Sequence, residues 1–171
     1  MAITRTTHVR TKRGFALLMA VIFMSVMLSF GLSLTSLAYK QQVLASGAVA
    51  SQYAFYIADM ALECLLYADQ QDNIYAYPSV EPVSAPAMTC DGTAPYETPI
   101  FTWSPDPDGE FVVKTRLSLS DGKYCADVAI YKPSDVETFT YLFSQGYNAP
   151  CSVVASPDAT RFVSRGLGAQ Y

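Results

Sequence analysis

The chain has 171 residues, is 51% hydrophobic and carries a formal net charge of −4, so its length allows one domain and one membrane element. Four of the 11 basic residues lie in the first 14 positions, which leaves seven basic and 15 acidic residues in the remainder, a formal charge of −8. Phosphate repels such an acidic chain, which argues against direct binding of nucleic acid.

A basic leader, residues 1–14, gives way abruptly to an apolar segment, residues 15–39, that has no charged side chain. The junction between them is the Gly14–Phe15 bond. The basic residues closest to it are Arg10, Lys12 and Arg13. Lys and Arg beside a membrane span stay on the cytoplasmic side, so we expect a single-pass protein of the cytoplasmic membrane with its C-terminal domain outside.

The apolar segment predicts a transmembrane helix about 37 Å long, compared with a hydrocarbon core of roughly 30 Å. A cleaved secretory signal is one alternative, because Ser36-Leu37-Ala38 is a small-x-small pattern. The apolar core of a signal peptide, however, runs only about 7 to 15 residues. An uncleaved signal anchor is another alternative, and it leaves the Gly14–Phe15 junction unexplained.

The helix is predicted to continue through residues 40–72 as an amphipathic half. No proline interrupts residues 15–70, and polar residues lie mostly away from one apolar stripe. The stripe consists of Ala54, Phe55, Ala58, Ala61, Leu62, Leu65 and Leu66.

Residues 73–109 are rich in proline and predict an irregular connection with one short strand at 100–103. Residues 110–171 alternate between apolar and polar side chains and predict a head with an antiparallel sheet of about four strands. The expected strands cover 110–120, 123–131, 138–147 and 161–171, and Asp121-Gly122 predicts a hairpin between the first two. Because the apolar face of the sheet needs a cover, we expect the helix to pack on it, which makes the fold class α+β.

The cysteines number four and lie beyond the apolar segment, so an exported domain with disulfides is expected. Three connectivities are possible. Strand alternation places Cys125 on the face away from the helix that carries Cys64, which favours the pairs Cys64–Cys90 and Cys125–Cys151.

We expect no enzymatic activity, no cofactor and no metal site. The only histidine, His8, lies in the leader, so the remainder lacks the usual general base and any imidazole ligand. Asp59 and Glu63 are four residues apart, which is typical of a solvated or interface face of a helix. The run from Asp106 to Glu110 lacks the spacing of a calcium-binding loop and is typical of a turn that contains proline.

Taken together, the basic leader that ends in Gly14, the aromatic Phe15, the apolar run into an amphipathic helix and the C-terminal sheet resemble a type IV pilin over the whole chain. Residues 54–63, AFYIADMALE, are further similar to the helix of minor pilins of the PilX type. The resemblance implies cleavage after Gly14 by a prepilin peptidase and N-methylation of Phe15. It also implies storage in the cytoplasmic membrane and assembly with other pilin subunits into an extracellular pilus or cell-envelope filament.

One position departs from the family. Most pilins carry Glu at the fifth mature residue, here Met19, where it is thought to pair with the terminal ammonium of a neighbouring subunit. Met19 gives no such drive to docking, which favours a minor, tip-located or initiating subunit over the bulk subunit. The alternative is a membrane-anchored or secreted surface-binding domain with no filament role.

Overall fold

The computed structural model describes residues 13–106, 109–135, 139–156 and 161–171, so Arg10 and Lys12 lie outside the described residues. The chain divides into two compact units, Met1–Ala45 and Ser46–Tyr171. Its elements in chain order are α1 (Arg13–Gln70), β1 (Ile100–Trp103), β2 (Glu110–Leu119), β3 (Tyr124–Pro133), β4 (Tyr141–Tyr147), α2 (Cys151–Val154) and β5 (Ser164–Gln170).

The described part of the first unit is helical throughout. It is rich in Leu, Met, Ala and Phe, and it contains no proline that would remove a backbone hydrogen bond. Every side chain from Phe15 to Ala45 is exposed. This part of α1 therefore buries none of its apolar surface within the unit.

The second unit contains one antiparallel sheet in which the strands follow the chain, β1-β2-β3-β4-β5. It has five strands rather than about four, and the short strand expected at 100–103 is the additional edge strand β1. The last strand, β5, begins at Ser164, three residues later than expected. The expected third strand began at 138, which lies outside the described residues, and β4 begins at Tyr141.

The hairpin predicted at Asp121-Gly122 is confirmed. Leu119 pairs with Tyr124, so the turn contains four residues. Ser120, Asp121 and Gly122 all have positive φ, and the backbone N–H of Ser120 donates to Asp91 Oδ2 at 2.9 Å. Three consecutive residues in the left-handed conformation are unfavourable, because only glycine adopts it without strain. Gly122 meets this requirement at one position, and the hydrogen bond to Asp91 holds the backbone at Ser120.

In the second unit, α1 packs from Ala54 onward on one face of the sheet, here called the inner face. Small side chains let the helix approach closely, since Ala54, Ala58 and Ala61 are fully buried. Leu65 of the helix joins the core of the sheet. The strand residues in this core are Phe111, Val113, Leu117, Leu119, Ala126, Val128, Ile130 and Leu142. The arrangement confirms the α+β class and the helix as the cover of the sheet.

One member of the predicted stripe is misplaced. Phe55 is 45% exposed, whereas Ile57, which was not in the stripe, is buried. The short helix α2 was not expected either. It begins after Pro150, whose carbonyl oxygen accepts hydrogen bonds from the N–H groups of Val153 and Val154.

Candidate functional site

The apolar segment of α1 is long and apolar enough to cross a membrane. Its five serine and threonine side chains, at Ser25, Ser29, Ser33, Thr35 and Ser36, each donate a hydrogen bond to a backbone carbonyl three or four residues earlier in the helix. The distances lie between 2.8 and 2.9 Å. Since each of these hydroxyl groups is satisfied inside its own helix, none of the five presents an unpaired donor to lipid or to another apolar helix.

The predicted processing site, the Gly14–Phe15 bond, lies in the described part of α1. Arg13 and Gly14 are helical, and the Phe15 side chain is exposed.

Met19 lies one turn further on and is exposed together with its neighbours. Its thioether adds no charge to the segment, which has no acidic side chain from Phe15 to Tyr39. Any docking of this surface must therefore rely on packing rather than on an ion pair.

The second unit carries another exposed apolar surface on α1, away from the sheet. We call it the outward stripe; its members are Phe55, Tyr56, Met60 and Tyr67, and each is more than 40% exposed. The rings of Phe55 and Tyr56 meet edge to face at 6.1 Å. Glu63 is exposed on the same helix and Asp59 is half-buried, in agreement with a solvated or interface face. Exposed aromatic and Met side chains at helical spacing are typical of a surface that receives another protein.

A close approach between helix and sheet occurs at Gly146 of β4. A Cβ atom built there would collide with the backbone oxygen of Ala54 and the backbone nitrogen of Ala58, and it would lie 2.9 Å from Ala58 Cα. Tyr53 stacks on Tyr124 of β3, with ring centroids 6.0 Å apart. The helix thus rests on the backbone of the sheet at this point, which only glycine permits.

A buried polar cluster joins the end of α1 to the sheet. Asp69 is 2% exposed, and its Oδ2 accepts a hydrogen bond from Lys132 Nζ at 2.6 Å and another from the hydroxyl of Tyr171. The Lys132 ammonium also lies 5.8 Å from the centroid of the Tyr171 ring. The nearby hydroxyl of Tyr75 is buried and has no partner among the described residues. Burial and the charge of Asp69 raise the pKa of Tyr75 to about 12.

The disulfides are Cys64–Cys90 and Cys125–Cys151, the two pairs that the sequence favoured. Cys125 lies on the outer face of the sheet, opposite to α1, in a second small core with Tyr147, Ala149 and Val154. The first pair ties the connection to the helix, and the second ties α2 to β3. No free cysteine is found among the described residues.

The outer face of the sheet holds a groove of about 370 Å³. One row of paired residues crosses its floor: Lys114 of β2, Ala129 of β3 and Phe143 of β4 are direct neighbours in register. Ile100 borders the row on the β1 side, and Tyr131 lines the groove one row away. Because Ala129 is small, the side chains on either side of it stand above the floor as walls.

An ion-pair network closes one end of this groove. Arg116 Nε and Nη2 donate to the two carboxylate oxygens of Asp127 at 2.6 and 3.0 Å, and Nη1 donates to Glu97 at 3.0 Å. Tyr147 donates its hydroxyl hydrogen to Asp127 at 2.9 Å. Asp127 raises the pKa of Arg116 above its usual value, whereas burial first and then the charge of Asp127 raise the pKa of Tyr147 to about 12. The two parallel hydrogen bonds to Asp127 fix the geometry of the Arg116 guanidinium.

No group of His, Cys, Asp and Glu in the described part of the chain is arranged to hold a metal ion. In the 106–110 run, Asp106 Oδ2 accepts a hydrogen bond from Ser104 Oγ at 3.0 Å, and residues 107 and 108 lie outside the described residues.

The fold and these surfaces define an α+β protein with one helix that can span a membrane and a head with two disulfides. No protein-family model matches the sequence, and neither a curated protein nor a solved structure matches it.

Proposed function

We propose that the protein is a structural subunit of a type IV pilus or pseudopilus-like filament, processed after Gly14 by a prepilin peptidase. The observation that carries the proposal is the apolar first part of α1, which is exposed at every position from Phe15 to Ala45 and whose serine and threonine hydroxyl groups are all satisfied internally. Such a surface is stable in lipid and equally stable among other apolar helices. One helix can therefore serve for storage in the cytoplasmic membrane and then for packing with other pilin subunits.

The outward stripe supports this role in the second unit. The Phe55, Tyr56, Met60 and Tyr67 side chains leave apolar area uncovered on the half of α1 that packs on the head. Burying apolar area contributes about 25 cal/mol per Å². Neighbouring subunits that cover both the apolar segment and the stripe would gain this contribution along the whole helix.

The disulfides fit a head on the outer side of the membrane. Structural disulfides persist in oxidising compartments and are rare in the cytosol. With Arg10, Lys12 and Arg13 on the cytoplasmic side, the head would lie on the outer side of the membrane, which supports assembly into a pilus or cell-envelope filament.

Met19 supports a minor, tip-located or initiating position for the subunit. A carboxylate at this depth is costly in lipid unless it is paired, so a Glu would drive docking beneath a terminal ammonium. Met19 has no such requirement, which suits a subunit that needs no matching partner above it.

A second candidate function is a membrane-anchored or secreted surface-binding domain without a filament role. The groove on the outer face of the sheet favours it, since two aromatic rings and a lysine converge on one concavity. The two candidates differ in how the N-terminus is processed.

Mass spectrometry of the mature N-terminus tests the proposal. An N-methylated Phe15 is the expected result. An N-terminus at Tyr39 would instead indicate secretion, and an intact Met1 would indicate a plain anchor; either would contradict the filament proposal. Gly14→Leu should leave the leader attached. Gly31→Ala is the matched control in the same helix, because an added methyl there meets no atom within 4 Å, and its processing should be unchanged.

A further inference from the structure

We propose that the groove on the outer face of the sheet binds a carboxylated sugar, such as a uronic acid residue of a surface polysaccharide. The proposal goes beyond the filament role and does not depend on it. It rests on the size of the groove, on its aromatic walls, on one unpaired cation and on the pairing of the backbone beneath it.

The size of the groove suits a small ligand. Its volume of about 370 Å³ lies in the lower part of the range for pockets that hold small molecules, about 300 to 1,000 Å³. The Arg116–Asp127 pair bounds one end, and Tyr131 lines the groove on the other side of the Ala129 row. A ligand of one or two sugar rings fits this length.

The walls offer ring faces for stacking. Phe143 is 43% exposed, and the backbone of β5 beside it is covered only by glycines, Gly166 and Gly168. A Cβ atom at Gly166 would lie 3.2 Å from the Phe143 ring, so the outer edge of the ring contacts β5 at Gly166. The C–H face of a pyranose ring packs well on such an aromatic face, while its hydroxyl groups remain in water.

One cation of the groove is open to an anion. Lys114 is exposed and has no partner among the described residues, whereas Arg116 is paired with two carboxylates, Asp127 and Glu97, at the end of the groove. Lys114 is therefore the one cation of the groove lining, within the described residues, that has no carboxylate partner. It stands across Ala129 from Phe143, so a ring stacked on Phe143 would direct a carboxylate towards the Lys114 ammonium.

The backbone argues for a sugar rather than an extended acidic peptide. Lys114, Ala129 and Phe143 lie on strands that are paired on both sides, so their N–H and C=O groups are used within the sheet. A peptide that lies across a sheet face finds no main-chain partner there, whereas peptide recognition by strand addition requires a free edge. Recognition in the groove must therefore come from ring faces and side-chain charge.

The test uses the full-length protein in detergent micelles and NMR titration with methyl glucuronide and methyl glucoside. We expect the glucuronide to bind about fivefold more tightly, the upper end for a solvent-exposed ion pair, and the preference to shrink at high salt. Lys114→Met should remove this preference and leave the glucoside affinity unchanged. Phe143→Ala should weaken both sugars.

Lys123→Met is the matched control, because Lys123 is an exposed lysine in the β2–β3 turn outside the groove lining. It should leave both affinities unchanged. Equal affinity of the wild-type protein for the two sugars would overturn the proposal, as would an absence of binding or an equal effect of Lys123→Met and Lys114→Met. Tighter binding of an acidic peptide than of the glucuronide would also overturn it. None of these outcomes bears on N-terminal processing, so a failure here is distinguishable from a failure of the filament proposal.

Discussion

Replacing Gly146 by alanine perturbs the contact on which the packing of helix and sheet depends. The added Cβ would meet backbone atoms of Ala54 and Ala58, and the Ala58 Cα lies only 2.9 Å away. Carbon atoms attract best at about 3.5 to 4.0 Å, so the helix and β4 must separate by roughly 0.6 Å or more. The obstructing atoms belong to backbone held by helical hydrogen bonds, which leaves no side chain that could rotate aside.

The cost is expected at the upper end of the range for overpacking, about 3 kcal/mol. A separation at Gly146 also loosens the buried neighbours on the helix, Ala61 and Leu65, which are at most 1% exposed. Gly168→Ala is the matched control on the adjacent strand. Its added methyl would meet Leu142 O at 3.5 Å, an ordinary contact, so its free energy of unfolding should change by less than about 1 kcal/mol.

Guanidinium unfolding of the full-length protein in detergent, followed by near-ultraviolet circular dichroism, measures both variants. The expected result is a much lower midpoint for Gly146→Ala than for Gly168→Ala at similar slope. Equal midpoints for the two variants would refute the close approach of α1 to β4 described here.

Three further predictions concern the head. Lys132→Met should lower the free energy of chemical unfolding by about 3 kcal/mol, because it leaves the carboxylate of Asp69 buried without its cation. Adding Asp69→Leu to this variant should recover much of the loss. A double variant as unstable as Lys132→Met alone would contradict the ion pair between Lys132 and Asp69. The pKa of Tyr75 is raised from 10.0 to about 12, so the folded state keeps a proton that the unfolded state releases. The stability linked to Tyr75 is therefore complete below pH 10 and falls by about 2 kcal/mol between pH 10 and 12. Tyr75→Phe should reduce this loss of stability at alkaline pH. At pH 7 it should change the free energy of unfolding little, since the hydroxyl has no partner among the described residues. If thermal melts of the variant show the same loss of stability between about pH 10 and 12 as the wild type, the raised pKa of Tyr75 is not its cause. Joint replacement of Cys125 and Cys151 by serine should lower the free energy of unfolding by about 3 kcal/mol, because the unfolded chain regains the conformational freedom that the bridge removes. A melting temperature equal to that of the wild type would contradict a structural role for this disulfide.

The elements that could be predicted from the sequence depend on local pattern. The Asp121-Gly122 pair between alternating runs predicts the β2–β3 hairpin, and alternation around Cys125 places that cysteine away from the helix. Proline content locates the irregular connection, and the short strand Ile100–Trp103 has the apolar and aromatic composition of a strand. Turn chemistry and side-chain period act over a few residues, so one sequence is enough to detect them.

The remaining features depend on contacts between distant residues. Asp69 meets Lys132 and Tyr171, which are 63 and 102 residues away in the chain, and no local pattern marks such a cluster. The groove needs the β3–β4 register, since only that register places Ala129 beside Phe143. The close approach of α1 to β4 did leave a trace in the sequence. Gly146 lies inside a strand, and glycine at such a position indicates that another backbone segment approaches closely, although it does not identify that segment.

The placement of Phe55 shows what helical periodicity in the sequence cannot predict. It shares helical spacing with buried alanines, yet it lies at the edge of the covered face and is 45% exposed. Helical spacing defines an apolar stripe but not its width, which depends on how closely the sheet approaches the helix. Near Gly146 the helix buries Ala54, Ile57 and Ala58, and the Phe55 ring remains outside the covered face.

The most direct test of the central claim is the distribution of the protein between surface filaments and the membrane. Filaments sheared from cells and purified should contain the chain beginning at Phe15, in small amount relative to the main subunit, while the membrane fraction holds the remainder. A chain that keeps residues 1–14 and is found only in the membrane fraction would contradict the account.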